Sequence, residues 1–149
     1  MTTSSNAALA RRWFEEVWNQ KKDATVTELF GAQSVGHMEG AEAHGPSQFL
    51  TMRASLFGAF PDLSVTEEDV LADGEQAVVR RSARGTHKRA VAGIPASGRG
   101  AAFRGMTWMK FSDGRIVEGW DSWNQGRLFE DLRTAAAANV KTENTGSQT

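Results

Sequence analysis

The stretch from Ile116 to Gly126 reads IVEGWDSWNQG and sets a carboxylate, Asp121, between Trp120 and Trp123, with Asn124 following. Indole surface on both sides shields a carboxylate from water. That disfavours its charged form and suits it to general acid/base work near neutral pH. The competing reading is an ion pair of Asp121 with Arg104 or Arg99 on a neighbouring strand. Glu118 is a second carboxylate in the same stretch. On a regular strand Glu118, Trp120, Ser122 and Asn124 face one side, and Val117, Asp121 and Trp123 the other. Only one of Asp121 and Asn124 then points into an interior, unless a bulge re-aims the chain.

Three histidines are the other candidates for proton transfer. His37 lies between two helical patterns, and a structural role competes with a site role. His87 ends a strand ahead of a glycine-rich connection. His44, beside Glu42, reads as a solvent-exposed loop residue. Their spacing matches neither HxH nor HExxH, so no metal site is expected. The run GTHKRAVAGIPASGRG lacks both GxxxxGK[ST] and GxGxxG, so its glycines serve turns and not a phosphate. Trp13, Phe49, Phe57, Phe60, Phe103, Trp108 and Trp120 can line a cavity or fill a core, since most buried aromatics only pack.

These groups need elements to hold them. Ser4 or Ser5 can cap a first helix whose Leu9, Trp13, Val17 and Phe14 fall on one face at helical spacing and which Asn19 ends. Lys22 to Gly31 reads as a short second helix, and Gln33 to Glu39 as an extended piece. Pro46 suits the first position of a third helix, which Pro61-Asp62 stops. Four strands follow: Leu63 to Leu71, Gln76 to His87, Gly100 to Phe111 and Arg115 to Asn124. Asp73-Gly74 and Asp113-Gly114 supply hairpin turns. Gly126 to Ala138 can form a terminal helix. Helices first and an antiparallel meander after them predict an α+β fold, with three N-terminal helices over the concave face of a curved antiparallel sheet.

The bulk numbers agree with one domain. The chain has 149 residues, of which 40% are hydrophobic, enough for a single core. A formal net charge of −1 and no basic stripe argue against nucleic acid. There is no cysteine, which removes disulfides and thiolate chemistry. No window approaches the roughly 20 apolar residues of a membrane span, and no signal-peptide run opens the chain, so a cytoplasmic location is expected. Residues 1–138 are expected to form the domain. Asn139 to Thr149 is polar and expected to be disordered.

Five segments in order carry a family resemblance: AFPDL (59–63), DGEQAVVR (73–80), GTH (85–87), GIPASGR (93–99) and DGRIVEGWDSWNQGRLFEDL (113–132). Together they resemble the SnoaL-like polyketide cyclases, or ester cyclases, from about Leu9 to Leu132. These share a cone-shaped α+β barrel with nuclear transport factor 2, ketosteroid isomerase and limonene epoxide hydrolase. The resemblance implies a deep apolar pocket, no cofactor, a small hydrophobic aromatic substrate and a homo-oligomer, dimer or tetramer, built on the sheet. It also implies a place in polyketide and antibiotic biosynthesis. The best-known members close a ring by intramolecular aldol condensation, with an aspartate as acid/base. Asp121 fits that aspartate best. His37, His87, Arg104 or Asn124 would hold the enolate oxygen, and Trp13, Trp108, Trp120 and Trp123 would stack on the substrate, with Phe57, Phe60 and Glu118 around it.

Two positions depart from the family pattern. Members commonly carry an aspartate four residues after the tryptophan, where this chain has Asn124 after Trp120. An amide can orient a carbonyl but cannot take a proton. Ala96-Ser97 replaces a Pro-Thr pair. Related proteins hydroxylate polycyclic substrates without a cofactor, and others only bind ligands. More distant ones open epoxides with an Asp-Arg-Asp arrangement that Arg104 and Asp121 would match in part. These remain the alternative expectations.

Overall fold

A computed structural model describes residues 3–146. Helix α1 (Thr3–Arg12) continues as a π-helical segment, Trp13–Asn19. Then follow α2 (Asp23–Leu29), β1 (Phe30–Met38), β2 (Ala41–His44), α3 (Gly45–Ala59), β3 (Ser64–Asp73), β4 (Gln76–Thr86), β5 (Gly100–Ser112), β6 (Arg115–Trp123) and α4 (Gln125–Gly146). The six strands form one curved, unclosed sheet in the order β2-β1-β6-β5-β4-β3. Helix α1 packs on β3 and β4, and α3 on β1 and β2. The α+β class and the curved sheet are as expected from the sequence.

The hairpins form where the turn residues demand them. Asp113 and Gly114, between the paired Ser112 and Arg115, both have positive φ, the conformation that matches the twist of the flanking strands. Gly74 opens the β3–β4 turn with φ of 59°.

Three features differ from the expectation. The extended piece expected at Gln33 to Glu39 is strand β1, which already starts at Phe30 where a helix was expected, and β2 is a further strand that was not expected. β1 pairs with β6 in parallel, so the sheet is mixed and not wholly antiparallel. Helix α4 runs through Asn139 to Gly146, carried past the alanines of 135–138, the strongest helix formers. Asn139 Nδ2 also donates to the Ser97 carbonyl at 2.8 Å. The last three residues of the expected disordered tail lie outside the described ones. Among the described residues, no helix is long and apolar enough to cross a membrane.

The π-helical segment has a consequence for packing. Hydrogen bonds from i to i+5 widen the turn and bring residues five apart onto one side. Trp13 and Trp18 both reach the Phe49 ring, at centroid distances of 5.0 and 5.9 Å. On an α-helix they would point about 140° apart. Asn19, at the segment's end, is hydrogen-bonded to the Val65 backbone through both its amide atoms, which ties the helix to β3.

Candidate active site

Between helices and sheet lies a cavity of about 260 Å³, walled by Phe14, Trp18, Met52, Leu56, Phe103 and Trp123 among others. A smaller recess of about 70 Å³, reaching toward Trp13, Phe30 and Phe49, adjoins it. Asp121 and Arg81 border both spaces. With Glu39, Ser55 and Gln125 in the larger space and His37 and Thr107 in the smaller, they are the polar part of a mostly apolar lining.

Strand β6 aims Asp121 inward through a bulge. Ile116 pairs with Phe111, but Glu118 pairs with Lys110, so Val117 is the extra residue. Ile116 is buried, Val117 is turned out, and Asp121 and Trp123 fall on the cavity side. Gly105, opposite Trp123 on β5, permits the close approach this needs. A Cβ there would stand 2.6 Å from the Ser122 carbonyl oxygen and 2.7 Å from Trp123 Cβ. Trp123 then packs between Phe103 and Phe129.

The Asp121 carboxylate is held by one of its oxygens. Arg81 Nη2 donates to Oδ1, as does the Thr107 hydroxyl at 2.7 Å. Arg81 Nε in turn donates to Thr107 Oγ1 at 3.2 Å. The ion-pair partner is therefore Arg81 on β4, two strands away, and neither Arg104 nor Arg99. The Arg81 side chain is 9% exposed and that of Asp121 26%. The guanidinium carbon lies 5.9 Å from the centre of the Phe14 ring. Sequence reading missed Arg81, although a signal existed. Ala77, Val79 and Ala83 are the buried alternate positions of β4, and Arg81 is the single charge in that row.

Other sequence candidates stand elsewhere. Arg104 is exposed, on the parity opposite the buried Phe103. Trp108 and Trp120, paired across β5 and β6, are 49% and 41% exposed on the outer face of the sheet. Trp108 Nε1 donates to Gln76 there. The His37 ring borders that face too. It stacks on Trp120 and bonds Glu118 Oε2 through Nε2 at 2.7 Å, with Glu42 Oε1 3.3 Å from Nδ1. The Glu118 bond, with help from Glu42, raises the His37 pKa. Glu42 also contacts His44, so the four side chains form one chain of acids and imidazoles. The two indoles around Asp121 in sequence are thus split by strand parity, Trp123 inside and Trp120 outside.

Asn124 is spent on the backbone: its Oδ1 accepts from Arg104 N–H at 3.1 Å, and its carbonyl accepts from Leu128 N–H at the start of α4. Phe57 packs against Trp18 under Lys21, and Phe60 is in the core between His87 and Phe103. His87 is fully buried and pins the connection after β4. The Ser97 amide donates to its Nδ1, which places the ring proton on Nε2. Burial lowers its pKa. Of the residues singled out from sequence, the fold brings Asp121, Trp123 and Phe103 to the main cavity and Trp13, Phe49 and His37, its ring stacked on Trp120, to the smaller recess.

Comparison with known proteins follows this geometry. The family described as SnoaL-like polyketide cyclase matches residues 8–132. A crystal structure assigned as a SnoaL-like polyketide cyclase from Jannaschia sp. CCS1 superposes with a TM-score of 0.82 at 22% identity, over 88% of this chain and 93% of that one. IdmH of Streptomyces antibioticus, assigned as a polyketide cyclase, gives 0.76 at 25% identity, over 85% and 97%. AclR of Streptomyces galilaeus, assigned as a hydroxylase, gives 0.77 at 21% identity, over 88% and 97%. No curated protein matches the sequence. The match over 8–132 spans most of the 149 residues, and the chain belongs to the SnoaL-like polyketide cyclase family.

Proposed function

We propose that this protein is an enzyme that closes a ring in a bulky, aromatic, polyketide-like ester by acid/base catalysis, with Asp121 as the proton acceptor. The observation that carries this is the placement of Asp121: its carboxylate borders a cavity whose other walls are mostly aromatic and aliphatic. Oδ1 is held by Arg81 and Thr107, and among the described residues Oδ2 has no hydrogen-bond partner. Oδ2 takes a proton from the carbon alpha to a substrate carbonyl. The carbanion attacks a second carbonyl of the same molecule, and the proton returns to the new alkoxide. Trp18, Trp123 and Phe103 hold the flat substrate by stacking and burial. The Asn124 amide, engaged with backbone, has no part in the proton transfer.

Turnover of a linear aromatic polyketide ester by Asp121→Asn, followed chromatographically, is the test. Loss of a positioned acid/base costs about a hundredfold or more in rate. Full activity in this variant removes Asp121 from the chemistry. Oxygen consumption during turnover would point instead to hydroxylation, the activity assigned to AclR.

The protein acts as a homo-oligomer in this reading. Leu71, Met106, Trp108 and Trp120 are exposed large hydrophobics, and the last three stand on the neighbouring strands β5 and β6. An apolar patch of this kind on a sheet face suits a second copy of the same chain.

A further inference from the structure

The aldol reading above needs a group to hold the enolate oxygen, and every donor nominated from the sequence is placed away from Asp121 or engaged elsewhere. Arg104 is on the outer side, and His37, although it borders the smaller recess, has its ring stacked on Trp120 and both nitrogens facing Glu118 and Glu42. Asn124, its Oδ1 accepting from the Arg104 backbone, borders neither lobe of the cavity. His87 is buried against Ser97 and Phe60.

Resting on that reading, we infer that Arg81 holds the enolate oxygen, exchanging its carboxylate partner for it as Asp121 takes the proton. The hydrogen bonds divide the work between atoms. Arg81 uses Nη2 on Asp121 Oδ1 and Nε on Thr107. Among the described residues its Nη1 has no hydrogen-bond partner, and Arg81 borders both lobes of the cavity. Nη1 is thus an unpaired donor on the same guanidinium that holds Asp121.

Charge conservation makes the arrangement productive. Before reaction, the guanidinium is positive, the carboxylate negative and the substrate neutral. When the C–H bond breaks, its proton goes to Oδ2 and its electron pair into the conjugated carbonyl, whose oxygen becomes negative. Asp121 is then neutral, and the enolate takes its place as counter-ion to Arg81. The net charge of site and substrate is the same at both stages, so no uncompensated charge arises in the apolar interior. Arginine suits this role because it stays protonated throughout. The substrate class follows: a molecule whose carbanion is delocalised onto an oxygen, such as a β-dicarbonyl ester or its vinylogue. A C–H acid without a conjugated oxygen is excluded.

The probe is 7-hydroxycoumarin, a flat phenol whose neutral and anionic forms are excited at different wavelengths. Asp121→Asn mimics the protonated carboxyl and leaves Arg81 without a counter-charge. Dye bound to it should ionise at least about tenfold more readily, a midpoint lower by about one pH unit, than dye bound to the double variant Arg81→Met/Asp121→Asn. Wild-type protein, with its pair balanced, should bind the neutral form. The inference is overturned if Asp121→Asn binds the dye with the same midpoint as the double variant, or does not bind it.

Should Asp121→Asn fail to fold, Asp121→Ser takes its place in the same dye measurement, compared with Arg81→Met/Asp121→Ser. Equal midpoints for that pair overturn the inference. Neither comparison reads turnover. Dye ionisation without ring closure sustains Arg81 as the anion holder and ends the cyclase reading, whereas ring closure that depends on Asp121 without ionisation does the reverse.

Discussion

The Arg81–Asp121 pair should reveal itself in stability before any substrate is known. Arg81 is 9% exposed and Asp121 26%, so the pair is largely removed from water. Asp121→Leu leaves a guanidinium that cannot shed its proton in an apolar interior. Breaking a buried pair in this way costs about 3–5 kcal/mol. The lower end applies here, because the Asp121 side chain keeps part of its surface exposed. At about 2–4 °C per kcal/mol for a chain of this length, a loss near 3 kcal/mol lowers Tm by about 6–12 °C. Arg81→Met should cost less, about 1–2 kcal/mol, since Thr107 and water still serve the more exposed carboxylate. Replacing both, Arg81→Met/Asp121→Leu, removes the unpaired charge altogether and should be no worse than Asp121→Leu alone. The resulting coupling is about 2 kcal/mol. Urea unfolding of the three variants and wild type measures the cycle. Additive effects, or single variants within about 0.5 kcal/mol of wild type, would refute the placement of this pair in the interior.

Two further outcomes are expected. His37 has a raised pKa in the fold because Glu118, and behind it Glu42, hold the imidazolium. The folded state therefore binds this proton more tightly than the unfolded chain. That stabilisation is complete below the ordinary histidine value of about 6.5 and is lost as pH rises through the folded value. The Tm gap between wild type and His37→Gln should be widest near about pH 6 and close at alkaline pH. A gap that ignores pH would mean that the charge contributes nothing. On the outer face, light scattering should report an oligomer for wild type and a monomer for Trp108→Glu, which places a charge in the exposed apolar patch. A monomeric wild type ends the homo-oligomer reading.

Much of the fold was legible because it rests on local rules. Pro46 begins α3, and the two Asp-Gly pairs bend the meander at the expected places. The order of helices and strands then leaves a curved sheet with helices over it as the way to bury the apolar faces. Strand parity also grouped Asp121 with Trp123 and apart from Trp120, as the register shows. Local rules failed where the backbone left its usual period. The short β2 carried no readable alternation, and β1 was legible only from Gln33 on. The π-helical segment carried Trp18 onto the cavity, where an α-helical count does not put it.

The sequence by itself determined which residues could carry charge or stack, and the local turns and helices that hold them. The tertiary structure alone decided who meets whom. Arg81 and Asp121 are forty positions apart on strands that do not touch, with β5 between them, and only the curvature and register of the sheet bring guanidinium and carboxylate together. Pairing across a sheet is a long-range outcome of closing the whole core, which local propensity cannot encode.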